Sequence, residues 1–136
     1  MLVTLDNVPD EWRWGPYFHP REFLCLHCSI LKINDSFMDR LFAIRAALGL
    51  PMVITSGYRC PYHNKEISES GTTGPHTTGH AADVQMAGEG VAHLLGIAGS
   101  QMTGFGLKQH GPTKERFVHL DDLQLPYHRP RWWTYA

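Results

Sequence analysis

Nine histidines stand in this 136-residue chain, and three stretches place histidine beside groups that could act with it. The first runs Gly74-Pro75-His76-Thr77-Thr78-Gly79-His80-Ala81-Ala82-Asp83-Val84, and the second is Phe117-Val118-His119-Leu120-Asp121. Two histidines and one carboxylate, with a fourth position left to water, make a catalytic zinc arrangement. His76, Asp83 and His119 are therefore a candidate ligand set. The third stretch is split: Cys25-Leu26-His27-Cys28 and Cys60-Pro61-Tyr62-His63 together hold the ligand types of a structural Cys3His zinc site. Three readings of these sulfurs compete. They are a second zinc on Cys25, Cys28, Cys60 and His63, a disulfide between Cys60 and one of the other two, or reduced buried thiols. With three cysteines, at least one sulfur stays outside any disulfide.

A helix would set His76 and His80 on one face, but Gly79 and the small residues after it favour a loop followed by a strand. In a strand through Gly79 to Val84, Gly79, Ala81 and Asp83 share one face while His80, Ala82 and Val84 share the other. Asp83 then points into a space lined by the smallest side chains, and His76 can swing over that space from the loop. A strand at Arg116 to Leu120, continued to Asp121, puts Phe117, His119 and Asp121 on one face. If it pairs beside the first, His119 completes the set. The same parity carries back to Glu115, which is the first choice for the general base such a site needs. His110 competes for that role.

The strongest regular element has apolar residues at 37, 41, 44 and 48, polar cap choices at 34 to 36, Gly49 after the last turn and Pro51 beyond. It predicts a helix. Met52 to Ser56 is β-branched and bounded by Pro51 and Gly57, so it reads as a strand ending where Arg59 emerges. Residues 60–75 read as loop. Ala81 to Met86, Phe105 to Leu107 and Arg116 to Leu120 supply further strands, and Gly88 to Ser100 a glycine-diluted helix. The expected fold is α+β, a single domain over 1–136 with a mostly antiparallel central sheet and helices packed on one side. Residues 1–24 form an irregular aromatic arm around Trp12, Trp14, Tyr17, Phe18 and Phe23, and residues 122–136 a C-terminal tail.

Apolar residues make up 43% of the chain and charged residues 18%, and the net charge is -1. That is a globular composition with no general attraction to nucleic acid. No apolar run approaches the roughly 18 residues of a membrane span, and the start lacks a basic segment followed by an apolar one. The expected product is a cytoplasmic monomer without a signal peptide, with neither nucleic acid nor membrane as partner.

Ser56-Gly57-Tyr58-Arg59, then His-x-x-Gly-x-Ala-x-Asp from His76 to Asp83, then Val118-His119-x-Asp121 is similar to the zinc D-Ala-D-Ala peptidase family. That family includes D-alanyl-D-alanine carboxypeptidases, phage endolysin peptidases and the hedgehog-like zinc fold. The similarity extends from about Phe18, through Phe-His-Pro-Arg-Glu-Phe-x-Cys, the capped helix and Asn64, to Asp121. The resemblance implies that His76, Asp83 and His119 bind one catalytic zinc and that Arg59, with Ser56 and Tyr58 beside it, holds a substrate carboxylate. It implies an outer supporting role for Asp121. A planar guanidinium suits a carboxylate because it bonds to it bidentately and keeps its charge. The family pattern leaves the choice between Glu115 and His110 open, and Gly74 stands where a serine is common. The implied activity is hydrolysis next to D-alanine in peptidoglycan stem or cross-link peptides, by a phage or prophage enzyme delivered to the cell wall. The alternative is a non-catalytic zinc-bearing recognition module of the same fold.

Overall fold

The computed structural model describes all residues, 1–136. A two-stranded ribbon pairs β1 (Leu2–Thr4) with β2 (Lys32–Asn34), and α1 (Val8–Glu11) lies between them in sequence. Next come α2 (Asp35–Leu48), β3 (Val53–Ser56), α3 (Pro61–Ile67), β4 (Ala81–Gln85) and α4 (Glu89–Ala98). The chain finishes with β5 (Gly104–Lys108), β6 (Phe117–Asp121) and β7 (Arg131–Thr134). The main sheet has the order β3-β4-β6-β5-β7 and is antiparallel except where β7 joins β5. This is the expected α+β architecture.

Helix α2 begins and ends where its capping residues dictate. The Asn34 side chain accepts from the Phe37 amide at 3.1 Å, and Gly49 closes the last turn at φ 69°, a left-handed conformation that glycine adopts without a Cβ clash. The buried stripe Phe37, Met38, Leu41 and Ile44 packs with Leu94 and Ala98 of α4 and with Ala82, Val84, Val118 and Leu120 from the sheet. Burying a side chain of this size stabilises the fold by about 1.5–3 kcal/mol. One sheet face is thereby committed to the core. The opposite face carries Ala81 and Asp83 of β4, His119 and Asp121 of β6, and Gly104 and Gly106 of β5.

Three expectations change. Residues 60–75 are not loop throughout: they contain α3 and two 3-10 turns, Gly71–Thr73 and Pro75–Thr77. Cys60 starts α3, its sulfur accepting from the His63 amide at 3.4 Å, and Pro61 occupies the position where a helix tolerates proline. The aromatic arm is more regular than expected, because it supplies β1, α1 and a 3-10 turn at Pro20–Phe23, and Trp14, Phe18 and Phe23 join the core. Trp14 Nε1 donates to Asp39 Oδ1 at 2.9 Å, which satisfies the one polar atom of its ring. The segment read as a C-terminal tail contributes β7 to the sheet edge. No helix is long and apolar enough to cross a membrane.

Candidate metal centre

The sheet register brings the distant stretches together. Asp83 stands directly opposite His119 across β4 and β6, and both side chains leave the sheet on the face away from the core. His76 comes from the 3-10 turn Pro75–Thr77, which is fixed to the segment before α3 from two sides: the Arg59 amide donates to the His76 carbonyl at 3.0 Å, and His76 Nδ1 lies 2.7 Å from the Gly57 carbonyl. Gly79 lets the chain turn from there into β4. Its φ is 80°, and a Cβ would lie 2.8 Å from the Lys32 carbonyl oxygen. Relative exposure is 4% for His76, 4% for Asp83 and 2% for His119, so water cannot freely solvate their polar atoms.

What these atoms face determines their protonation. The Gly57 carbonyl can only accept, so His76 Nδ1 carries its proton and Nε2 of the neutral ring presents a lone pair. His119 Nε2 lies 2.8 Å from Asp121 Oδ2, so its proton sits there and Nδ1 is the open nitrogen. These two open nitrogens are 3.2 Å apart, and Asp83 Oδ1 is 3.2 Å from one and 3.1 Å from the other. With both rings neutral, three acceptors converge on one point, an arrangement suited to a cation. Ligand atoms on one tetrahedral zinc, each about 2.0–2.2 Å from it, lie about 3.3 Å apart. The donor set and its spacing fit the ion.

The same geometry sets the titration of each group. Burial pushes His76 down against the opposing pull of Asp83. Burial acts the same way on His119, yet its hydrogen bonds to Asp121 and Asp83 outweigh it and raise the ring's pKa. Burial alone would raise Asp83, but the neighbouring histidines hold its carboxyl far below the usual carboxylate range. Asp121 is likewise lowered, to about 2, because the Arg129 guanidinium and His119 overcome its burial. Arg129 grips that carboxylate with Nε to Oδ1 at 2.9 Å and Nη2 to Oδ2 at 2.8 Å. Gly104 makes room for it, since a Cβ there would collide with the Asp121 carboxylate.

A sequence profile of the family described as Peptidase M15 matches residues 16–121. The chain belongs to the Peptidase M15 family. Searches of curated proteins and of solved structures return no match. Membership supports a zinc-dependent metallopeptidase with a peptide substrate, and His76, Asp83 and His119 all fall inside the matched part of this M15 chain.

Around the cluster, a cavity of about 230 Å³ is lined by Ser56, Tyr58, Arg59, Asp83, Phe117 and His63 among others. Arg59 is half-withdrawn from solvent and already engaged: Nε donates to Ser56 Oγ at 3.0 Å, Nη1 to Asn64 Oδ1 at 3.1 Å and Nη2 to Asp83 Oδ2 at 3.2 Å. Those bonds use one N–H on each nitrogen and leave two of a guanidinium's five free. Gly74 has a physical reason to be glycine, because a Cβ would run into the Ser70 hydroxyl and the Asn64 amide.

Two expected residues are not brought into the cavity. Glu115 lies in the 3-10 turn Thr113–Glu115, before β6 begins, so the strand parity that aligned it with His119 does not extend to it. Glu115 and His110 are both exposed. His80 stands just before β4 begins and pairs with Asp122 at 2.7 Å. Sequence reasoning missed Arg129, Trp133 and Tyr135. The Trp133 ring packs 5.2 Å from the His119 ring, and a Cβ on Gly106 would lie 2.8 Å from the Tyr135 hydroxyl. Burial and the nearby Asp83 charge push the Tyr135 phenol up to about 12, so it stays a proton donor. The alternation of Trp133 and Tyr135 after Arg129 was the available signal.

Proposed function

We propose that this M15 chain hydrolyses the peptide bond next to D-alanine in peptidoglycan stem or cross-link peptides, with His76, Asp83 and His119 as the ligands of one zinc ion. The observation that carries the reading is the meeting of three buried lone pairs at tetrahedral spacing beside a guanidinium with free donors. Zinc held there supplies Lewis-acid polarisation of the scissile carbonyl and acidifies water.

The protein's own groups do the rest. Arg59 offers its two remaining N–H groups to a carboxylate in the cavity, with Ser56 and Asn64 fixing the plane of the fork. This favours a free C-terminal carboxylate and so carboxypeptidase action over cleavage of a cross-link. Tyr58 is buried against the cavity and shapes its wall. The Tyr135 phenol, kept protonated, donates to oxygen that gains charge as the carbonyl is attacked. Asp121 holds the His119 proton on Nε2 and is itself held by Arg129. Glu115, exposed on the turn that leads to Phe117 at the cavity wall, is assigned to carry a proton from the attacking water to the leaving amine.

The exposure of Glu115 and His110 favours one second reading, a zinc-bearing module that recognises wall peptides without cutting them. Incubating zinc-loaded protein with defined muropeptides and identifying products by mass spectrometry separates the two. Release of D-alanine supports carboxypeptidase action, and cut cross-links support an endopeptidase. Binding without any product would sink the enzyme reading. Full activity in Glu115→Gln removes that residue's assignment and moves the test to His110.

A further inference from the structure

The second ligand cluster lies outside the peptidase centre. The ligand atoms of Cys25, Cys28 and Cys60 all lie within 4.8 Å of one another, and all three cysteines are free. Two histidines stand at its edge. His63 Nδ1 is 3.8 Å from Cys25 Sγ, and His27 Nδ1 is 3.5 Å from Cys60 Sγ. A thiolate sulfur and an imidazole nitrogen sharing one tetrahedral zinc, at about 2.3 and 2.0 Å, lie about 3.6 Å apart. Each of these two pairs is near that spacing, though neither imidazole lies within 4.8 Å of all three sulfurs.

The backbone is shaped to receive negative sulfur. The Cys60 amide donates to Cys25 Sγ at 3.3 Å and the His63 amide to Cys60 Sγ at 3.4 Å. Two of the three sulfurs, those of Cys25 and Cys60, therefore each accept a backbone N–H, a polarity that suits sulfur held on a cation. The turn from Cys25 to Ile30 that carries Cys28 is closed by Ser29 N to Cys25 O at 2.8 Å and Cys25 N to Ile30 O at 2.9 Å. It needs Ser29 at φ 59°, the one non-glycine residue with positive φ in the chain.

We infer that Cys25, Cys28, Cys60 and His63 bind a second, structural zinc ion. His63 is the fourth ligand rather than His27 because it is half-buried on α3, whereas His27 is exposed in the loop. The ion would tie the loop after Phe23 to the residue that follows Arg59. Backbone bonds already pin that segment: the Tyr58 amide donates to Phe23 O and the Arg59 amide to His76 O, each at 3.0 Å. Leu26 and His63 also line the cavity that Arg59 faces. The second site therefore holds one wall of the first.

Metal analysis of the purified protein should find two zinc per chain. Cobalt in place of zinc should give a sulfur-to-cobalt charge-transfer band in the near ultraviolet, a signature the histidine–aspartate centre cannot produce. His76→Ala should keep one equivalent and keep the band, while Cys60→Ser should keep one equivalent and lose it. His63→Ala should weaken cobalt binding at the band-producing site at least tenfold, and His27→Ala should leave it within twofold. One zinc per chain, no charge-transfer band and three thiols reactive in the folded wild-type protein would overturn the proposal, and so would a disulfide found by mass spectrometry. The wild-type spectrum stands even if Cys60→Ser fails to fold. None of these readings needs peptide hydrolysis, so the site stands or falls separately from the proposed activity.

Discussion

The histidine–aspartate cluster takes two of its ligand atoms from adjacent sheet strands, whereas the cysteine cluster is assembled from a loop and the first turn of a seven-residue helix. Behind the first stand outer partners: Gly57 on His76, Asp121 and Arg129 on His119, and Arg59 on Asp83. The sulfurs have backbone amides instead. Acceptors and charges placed behind the ligands fix tautomer and orientation while leaving one direction open towards a cavity, which is what a reacting centre needs. Amide donors surround charge, which suits a closed site whose work is to hold loops together.

The comparison breaks most sharply at His76. His76→Ala leaves two acceptors for the metal and should lower kcat/KM by at least about 10³-fold, since Lewis-acid and water activation are worth several kcal/mol. The far-ultraviolet circular dichroism should stay unchanged, because the imidazole touches the site rather than the core cluster. Retention of wild-type turnover by this variant would remove the cluster from the chemistry altogether.

A smaller effect is expected one step outward, at Asp121. Asp121→Asn keeps the volume but removes the charge that holds the His119 proton on Nε2 and that receives both Arg129 bonds. Loss of such an outer partner costs about 10–100-fold in metal affinity. Competition against a zinc chelator measures it directly, and activity should return when zinc is supplied in excess. If the deficit persists at saturating zinc, Asp121 acts on the substrate or the fold instead.

The same contrast shows what the sequence could convey. Strand parity places Asp83 and His119 on one face, and the register then sets them opposite each other, because both lie inside regular strands where alternation is dictated by geometry. The caps of α2 were legible for a similar local reason: Asn34 and Gly49 act on the helix they bound. Parity failed at Glu115 because Pro112 to Glu115 turns as a 3-10 segment, and alternation means nothing outside a strand. Helix α3 was hidden because seven residues with a cysteine cap carry too little periodic signal, and its support comes from Arg59 and Asn64. The closure of the site by Arg129, Trp133 and Tyr135 depends on β7 joining β5 in parallel, a long-range choice that no local pattern encodes.

That closing segment gives the smallest and most discriminating test. The Tyr135 hydroxyl lies over Gly106, whose register partner on β6 is His119, and like Arg129 and Trp133 it stands outside the family match. A neutral hydrogen bond contributes about 0.5–1.5 kcal/mol. If the phenol donates to oxygen that gains charge during attack, Tyr135→Phe should lower kcat by about tenfold and leave KM nearly unchanged, because the bond strengthens only in the transition state. If the ring merely packs beside Trp133, phenylalanine keeps the packing and kcat should stay within about twofold. A rise in KM with kcat unchanged would instead make Tyr135 a ground-state contact to the substrate, and would place β7 with the binding wall that Arg59 and Leu26 already form.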